Sequence, residues 1–595
     1  MKNLHTSSIQ ELFEKALFFC QTHQLKKAKS IYQGLIKNFP TNTIVLTNLG
    51  SIELLMGNFE QGIVYLEKSI EIDENQPTAI NNLANGLYEL NDYDQALVKI
   101  KLIEHLDFVD AHYNKGRILK SLNRFDEALE TYSYVLKLDP CHVQALINKG
   151  LIFHKFKQYK EALKAYQEVI QINPNYAEAY YNCGLIYAEI KQYKEALKAY
   201  KEAIQIKPNY AEAYCNLGIL FNSDNNQDSA LKSLEKAIQI NPNYAEAYYN
   251  CGVIYENLKK YDDAIKVYKK AVQINPNYVE AFLNLALIQL NLKSFKEGWI
   301  NFEKRLILGQ YKINHFNYLS KEFNLNLIKI SKKVLVINEQ GIGDQILYLS
   351  MLRNLSEFVS NIDILVDGRL INLLKRSFPK INFMATEAKI EVSIYDIVLP
   401  MGNLGKIFRN SNEDFCKYPI PYLKSDLSKV SFAKVTSKKL CGISWKSKND
   451  KIGENKSINL EALLPILNLP NLDFVCLQYG EVDDDIKYIE NTFKIKIKKI
   501  EGIDIFNDID GLTSAISKVD LVITTSNINA HLAGGLGKET YLLVPYSTGK
   551  LWYWHEDDKQ SIWYPSVLIY RQSNTKSWQK PINEIINNLR GKLID

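Results

Sequence analysis

No stretch of this 595-residue chain stays apolar for the 18 or so residues that a membrane-spanning helix needs. A strong charge of one sign is missing too. Lys and Arg number 72 against 67 Asp and Glu, and the net +5 is too small for this length to point to nucleic acid. Cysteine is sparse, at 20, 141, 183, 215, 251, 416, 441 and 476, and no two form a CxxC pair. Cys183, Cys215 and Cys251 fall on expected helices, where a small buried thiol is the ordinary role. The opening MKNLHTSSIQELFEKALFFC has no basic start, apolar stretch or small-residue cleavage site, so the expectation is a reduced, cytoplasmic protein. What is present is ordinary in composition, 46% hydrophobic and 23% charged. At this length one core is excluded and three or four structural units are expected.

A block of about 34 residues repeats through the first half, with nine copies starting at 9, 43, 77, 109, 143, 177, 211, 245 and 279. A fixed period of this size means a solenoid, each unit burying its apolar face against its neighbours. Each unit reads as two amphipathic helices, with Tyr180, Leu185 and Ile186 on the first and Ala196, Leu197, Tyr200 and Ile204 on the second. Small residues recur where helices must approach: Gly116, Gly150, Gly184, Gly218 and Gly252, then Ala128, Ala162, Ala196, Ala230 and Ala264. Units close on a proline, at 140, 174, 208, 242 and 276, which ends one helix pair. Small, small and proline in this frame resemble the tetratricopeptide repeat.

The sixth position is Asn in eight of the nine copies: Asn48, Asn82, Asn114, Asn148, Asn182, Asn216, Asn250 and Asn284. In tetratricopeptide solenoids the first helix lines the concave face. A carboxamide there donates and accepts, so it could hold the backbone of an extended peptide at roughly 0.5–1.5 kcal/mol per bond. The same residue is common at this point of such repeats with no role beyond packing, and both readings stand. The aromatic companions Tyr180, Tyr181, Tyr214, Tyr248 and Tyr249 suit a partner groove and consensus packing equally. The last copy, FKEGWINFEKRL, replaces the usual Ala with Gly298 and adds Trp299, an indole suited to docking on the next domain.

From Lys332 the pattern changes to short β-branched runs at 334–338, 362–366, 381–385, 396–400, 441–445, 472–477, 521–525 and 540–545, with helical segments between most of them. Such alternation implies parallel sheets with ligands at the carboxyl ends of the strands. The lysine- and serine-rich stretch 419–439 reads as a boundary, giving two facing α/β units with a cleft between them.

Three motifs sit at strand ends. In VLVINEQGIGDQILYL, Gly341 and Gly343 suit a tight turn, and Asp344 is either a helix cap or a carboxylate able to take a proton. This motif half-matches a dinucleotide fingerprint with Asp367, but Ile346 stands where its third glycine belongs. In GISWKSKNDKIGENKSINLEALLPIL, Lys446, Lys448, Lys451 and Lys456 precede a helix expected to open near Ser457, either a phosphate site or a solvated lysine loop. In LVITTSNINAHLAGGLGKETYLLVP, Thr524, Thr525, Ser526 and Asn527 lead into a helix carrying His531, with Ala533, Gly534 and Gly535 permitting close approach, which suits a diphosphate. Asp483, Asp484 and Asp485 read as acids serving a helix dipole, and His555 to Asp558 as a polar loop, so no metal site is expected.

Together EQGIGDQ, W-K-S…K-S-I, S-N-x-x-AHLAGGLGK, the GW-x-x-FE-x-R end of the repeats and the late LWYWHEDDKQSIWYPSVLIYRQ resemble the heptosyltransferase-like GT-B glycosyltransferases. More closely they resemble bacterial chains that join tetratricopeptide repeats to such a domain, a plan like that of O-GlcNAc transferase. The resemblance implies nine repeats over 9–312, a linker over 313–332, an acceptor-side half over 333–424 and a nucleotide-sugar-side half over 440–590. It implies Asp344 as catalytic base. It also implies donor contacts from Gly341, Gly343, Lys446, Lys456, Ser526, Asn527, His531 and Gly534, although Ser526-Asn527 stands where heptosyltransferases carry Asp-Thr. Peptide contacts would come from Asn114, Asn148, Asn182, Asn216, Asn250 and Asn284. The expected activity is a metal-independent sugar transfer from a nucleotide-sugar, without cofactor, to a protein held by the repeats. A non-catalytic scaffold and a glycolipid transferase are the alternatives.

Overall fold

The computed structural model describes residues 2–307, 319–320, 323–417, 421–431, 437–448, 452–546 and 551–593, with side chains from residue 10 to residue 592. Of the linker expected at 313–332, residues 313–318 and 321–322 lie outside these residues, as does Lys451; within its described part a short helix, Leu325–Ile330, stands in place of a plain linker. The chain divides into two compact units, 1–242 and 243–595.

The first unit is seven helix pairs, from Lys2–Gln21 and Leu25–Asn38 to Ala211–Ser223 and Gln227–Ile240. From the second copy onward the first helix of each pair begins at the residue the repeat reading assigns (Thr43, Pro77, Val109, Val143, Ala177 and Ala211). The first copy differs, its helix starting at Lys2 and not at residue 9. Amphipathic spacing fixes which face is buried. Tyr193–Ile206 buries Ala196, Ala199, Tyr200 and Ala203, one stripe along the helix. The recurrent glycines are explained by the tyrosine opposite. A Cβ on Gly116, Gly150 or Gly184 would stand 2.5 Å from a ring carbon of Tyr132, Tyr166 or Tyr200. The turn inside each pair carries a left-handed residue that the sequence reading did not single out: His23, Gly57, Asn91, Asn123, Lys157, Lys191 and Asn225, at φ of 55–79°.

The second unit opens with two more pairs, Ala245–Asn257 with Tyr261–Ile274 and Val279–Asn291 with Phe295–Phe302. Two parallel sheets follow. The first contains β1 (Lys333–Ile337), β2 (Asn361–Val366), β3 (Asn382–Ala385) and β4 (Ile397–Pro400), in the order β3-β2-β1-β4. The second contains β5 (Lys439–Ser444), β6 (Leu472–Cys476), β7 (Ile497–Lys498), β8 (Leu521–Thr525), β9 (Thr540–Val544) and β10 (Val567–Arg571), in the order β10-β9-β8-β5-β6-β7. All eight strands expected from the sequence are present; the edge strands β7 and β10 were not foreseen. β8 and β9 are buried along their whole length, as parallel strands covered on both faces must be.

The last repeat is built into this α/β part. Trp299 is 1% exposed, donates from Nε1 to the Arg409 carbonyl at 2.7 Å and meets Trp552 edge-on at 5.3 Å. Gly405 is required beneath it, since a Cβ there would come within 2.4 Å of the indole. Six residues on, Arg305 is fully buried and makes a two-pronged ion pair with Glu339, at 2.7 and 2.6 Å, and a further bond to Asn403. Glu339 also accepts from the Gly402 amide, so the pair enters the interior with its oxygens satisfied.

Candidate functional site

A cavity of about 340 Å³ opens where the carboxyl ends of β1, β5 and β8 converge. That is a volume able to take a small molecule. One wall is Gly341, Gly343, Asp344 and Arg369; the opposite wall carries Lys448, Lys456, Ser526, Asn527 and His531. All three sequence motifs therefore reach one space.

Asp344 stands in the first turn of the helix Ile342–Leu349, where its Oδ2 accepts from the Gly341 amide at 3.3 Å. The cap reading is thus realised, and the same carboxyl also lines the cavity. Burial raises its pKa from 3.8 to about 6; Lys456 draws it down and Glu339 pushes it up. The turn before it differs from expectation in one respect. Its left-handed residue is Gln340 at φ 63°, whereas Gly341 has φ −79°, open to any residue. Gly343 is needed for a different reason: a Cβ there would lie 2.9 Å from His531 Cδ2.

The second motif presents its lysines unequally. Lys456 is 5% exposed, lines the cavity, and has its pKa lowered by burial and held up by Asp344. Lys448 lines the cavity as well. Lys446, expected at the donor, is instead drawn into an ion pair with Asp485 and is not among the lining residues. The helix expected near Ser457 opens slightly later, at Leu460, with Asn459 as its cap. A short turn, Gly453–Lys456, ends at that point and Ser457 is extended.

The third motif keeps its expected form. The helix Ile528–Gly535 starts with Asn527 as its cap, Oδ1 accepting from the Asn529 amide at 2.9 Å, and this N-terminal end faces the cavity. Asn527 Nδ2 is taken by Ser444 Oγ at 2.6 Å, and Ser526 Oγ accepts from Trp554 Nε1 at 2.8 Å. His531 is buried, with Nδ1 3.1 Å from the Tyr564 hydroxyl, and its pKa falls to about 3 through burial and the charge of Lys456. It is therefore a neutral ring at physiological pH, and the cationic charge in the cavity comes from lysine and arginine. Gly534 is not among the residues lining the cavity; the Tyr564 ring lies 2.4 Å from where its Cβ would be.

Sequence reasoning missed Arg369, Tyr479, Phe506 and Tyr553, all on the cavity wall. They stand on four separate connections, so no local pattern announces them. Asp367, the half-match to a dinucleotide fingerprint, is held by Arg369 through bonds of 2.9 Å to both carboxylate oxygens. The acids at 483–485 open the helix Asp483–Phe493, as expected. The reading of 555–558 as a polar loop is corrected. His555 is 1% exposed, Glu556 bonds Lys259 and Tyr261 at 2.8 Å, and Asp558 pairs with Lys293 at 2.6 Å. Among the described residues no group of three His, Cys, Asp or Glu is placed to hold a metal ion, and no helix is long and apolar enough to cross a membrane.

The repeat asparagines bond chiefly to neighbouring helices. In the first unit Asn148 and Asn216 donate to the hydroxyls of Tyr113 and Tyr181 at 3.3 and 3.0 Å, Asn48 to Tyr32, Asn82 to Ser51 and Asn114 to Asn81. In the second unit Asn284 donates to Tyr268 at 3.2 Å. Asn182 and Asn250 are half-buried at the equivalent positions. This geometry gives the packing role a concrete form.

Tetratricopeptide repeat families match residues 44–76, 109–140, 150–191, 184–225, 220–259 and 245–278. The N-terminal part of the chain is a tetratricopeptide-repeat array. Protein FlbA of Caulobacter vibrioides is 26% identical over 316 residues, 49% of this chain and 52% of that protein, so the chain spans about half the length of this curated relative. Among solved structures the array is similar to MamA, at 30% identity, 28% of this chain, 96% of that one and a TM-score of 0.26. It is also similar to YrrB, titled a TPR protein with an unusual peptide-binding site, at 26% identity, 30% and 94% coverage and a TM-score of 0.26. The Cut9–Hcn1 hetero-tetramer of the APC/C matches at 17% identity, 48% and 56% coverage and a TM-score of 0.33.

Proposed function

We propose that the second unit is a metal-independent glycosyltransferase of GT-B type and that the tetratricopeptide array holds its polypeptide acceptor. The supporting observation is the cavity in which one carboxyl with a pKa near 6 faces a buried lysine and the N-terminal end of a helix. In this reading a nucleotide-sugar places its diphosphate against Lys456, Lys448, Ser526 and the amides at Asn527–Ile528. Cations and oriented amides there offset the charge that develops on the leaving group. The acceptor hydroxyl oxygen bonds to the anomeric carbon as the bond from that carbon to the diphosphate breaks. The hydroxyl proton passes to Asp344, and the nucleoside diphosphate departs. His531, being neutral, contributes shape and a hydrogen-bonding ring and no charge. Two parallel sheets meeting at this cavity agree with GT-B architecture, with the acceptor half at 333–424 and the donor half at 440–590.

The test is thermal unfolding of the full chain against UDP, GDP, ADP, CMP and dTDP. A ligand at 100 times its dissociation constant stabilises by about 2.7 kcal/mol. Stabilisation by one nucleotide, lost in Lys456→Ala, is the expected result and identifies the donor class. No shift with any of the five would leave a protein-interaction scaffold without transferase chemistry.

A further inference from the structure

We infer that residues 551–555 are a strap through which the last repeat positions Asp344, with Tyr553 as the residue that reaches the carboxyl. This rests on the assignment of Asp344 as the reacting base. Five consecutive residues divide their side chains between two destinations. Trp552 packs edge-on against Trp299 of the last repeat, with ring centroids 5.3 Å apart. His555 donates from Nδ1 to the Asn291 carbonyl at 3.1 Å and meets Phe295 at 5.8 Å, both also in the last repeat. Between these anchors Trp554 donates to Ser526 and lies 5.3 Å from the His531 ring. Tyr553 lies 5.2 Å from the same ring and lines the same cavity as Asp344.

The strap is held in a conformation that its own chain would not choose. His555 has φ 36°, the left-handed side of the backbone map, where an L residue persists only if its surroundings fix it. The fixing groups are the Asn291 bond on one side and Arg571 of β10 on the other, whose guanidinium donates to the carbonyls of Trp554 and His555. A second connection converges on the same loop, since the Arg305–Glu339 pair joins the last repeat to the residue that ends the β1 connection five positions before Asp344. The charges acting on Asp344 are those of Lys456 and Glu339, its own charge acts on Tyr553 and Tyr564, and the neutral His531 lines the same cavity. The phenol of Tyr553 is held well above its usual range, first by burial and then by the Asp344 charge, so it is a donor at every working pH. A phenol donating to a carboxylate favours the ionised form, and removing it lets the carboxyl keep its proton to higher pH.

The experiment follows Asp344 by carboxyl ¹³C NMR in the full chain, assigned by its loss in Asp344→Asn, in wild type, Tyr553→Phe, His555→Phe, His555→Gln and the Tyr553→Phe/His555→Phe double variant. Tyr553→Phe keeps the ring and is expected to move the Asp344 titration upward by roughly half a unit or more. His555→Phe is expected to move it the same way, the double variant no further than Tyr553→Phe alone, and His555→Gln, whose amide can still donate to Asn291, to restore it in part. An unmoved titration in Tyr553→Phe or in His555→Phe, or shifts that simply add in the double variant, would overturn the strap. A circular dichroism spectrum that matches wild type in each variant establishes that the fold is intact. Because the titration is read without turnover, a chain that shows these shifts but transfers no sugar would retain the strap and lose the proposed reaction.

Discussion

At Asp344 two physical demands oppose each other. Burial asks the carboxyl to keep its proton, while Lys456 and the Gly341 amide ask it to give the proton up. The balance, a pKa near 6, leaves a base that is charged at neutral pH and still basic enough to accept a proton. For the proposed transfer, turnover is therefore expected to rise about tenfold per pH unit below 6 and to level off above it. Asp344→Asn should lower turnover by roughly 10²–10⁴-fold while preserving nucleotide stabilisation, because the lysines and the helix end are untouched. Wild-type turnover in that variant would remove Asp344 from the mechanism. The stability sign follows from the same shift. A carboxyl whose folded pKa lies above its unfolded value of 3.8 stabilises the fold fully below about 3.8 and loses that contribution as pH rises through 6. The melting temperature of Asp344→Asn relative to wild type should thus climb between about pH 4 and pH 6; a flat difference would mean that burial is not what raises the carboxyl. The place of Asp344 on the cavity wall was legible in the sequence because it follows closely on the end of a strand. The ion pair of Lys446 was not legible because Asp485, its partner, sits on a helix well along the chain, and no spacing rule shows which way a lysine turns.

Elements were more legible than side chains, for a physical reason. A helix pair or a buried parallel strand needs only a periodic apolar pattern, and that pattern is local. Among the described residues the nine helix pairs and eight of the ten strands follow from it. β7 failed because two residues in an alternating lysine run carry no burial signal at a sheet edge, and β10 because its Val567–Arg571 lies inside an aromatic-rich tail. The glycine of the first repeat helix tests how specific the pattern is. In Gly184→Ala the new methyl would stand 2.5 Å from Tyr200 Cε1, inside a packed pair of helices. The helices must separate, at a cost of about 1–3 kcal/mol, although alanine is the better helix former. A stabilised Gly184→Ala, read by thermal unfolding, would show that propensity governs this position and packing does not. The turn residues give the complementary lesson: Lys157 and Lys191 occupy a left-handed conformation that suits Asn or Gly better, so sequence alone does not mark the turn.

On the scale of the whole chain the repeat sequence and the folded units do not share a boundary. The period runs through nine copies, but the compact units divide at 242, after the seventh. The reason lies in what the last copies touch. Trp299, Arg305 and the carbonyl of Asn291 are committed to the α/β part through Arg409, Glu339 and His555, so the ninth pair folds as a wall of the second unit. Within the first unit, by contrast, stability comes from helices packed on the next pair in line, the nearest-neighbour regime of a solenoid. Calorimetry of the full chain should therefore resolve two transitions, and nucleotide should raise only the one belonging to 243–595. Arg305→Met locates that transition from the opposite direction. It leaves Glu339 buried without its partner, which costs about 3–5 kcal/mol, and should lower the nucleotide-responsive transition while the other stays in place. If both transitions fell together, or if only one were ever present, the repeats and the α/β part would melt as a single cooperative body, and contacts of the last repeat would be felt through the entire array.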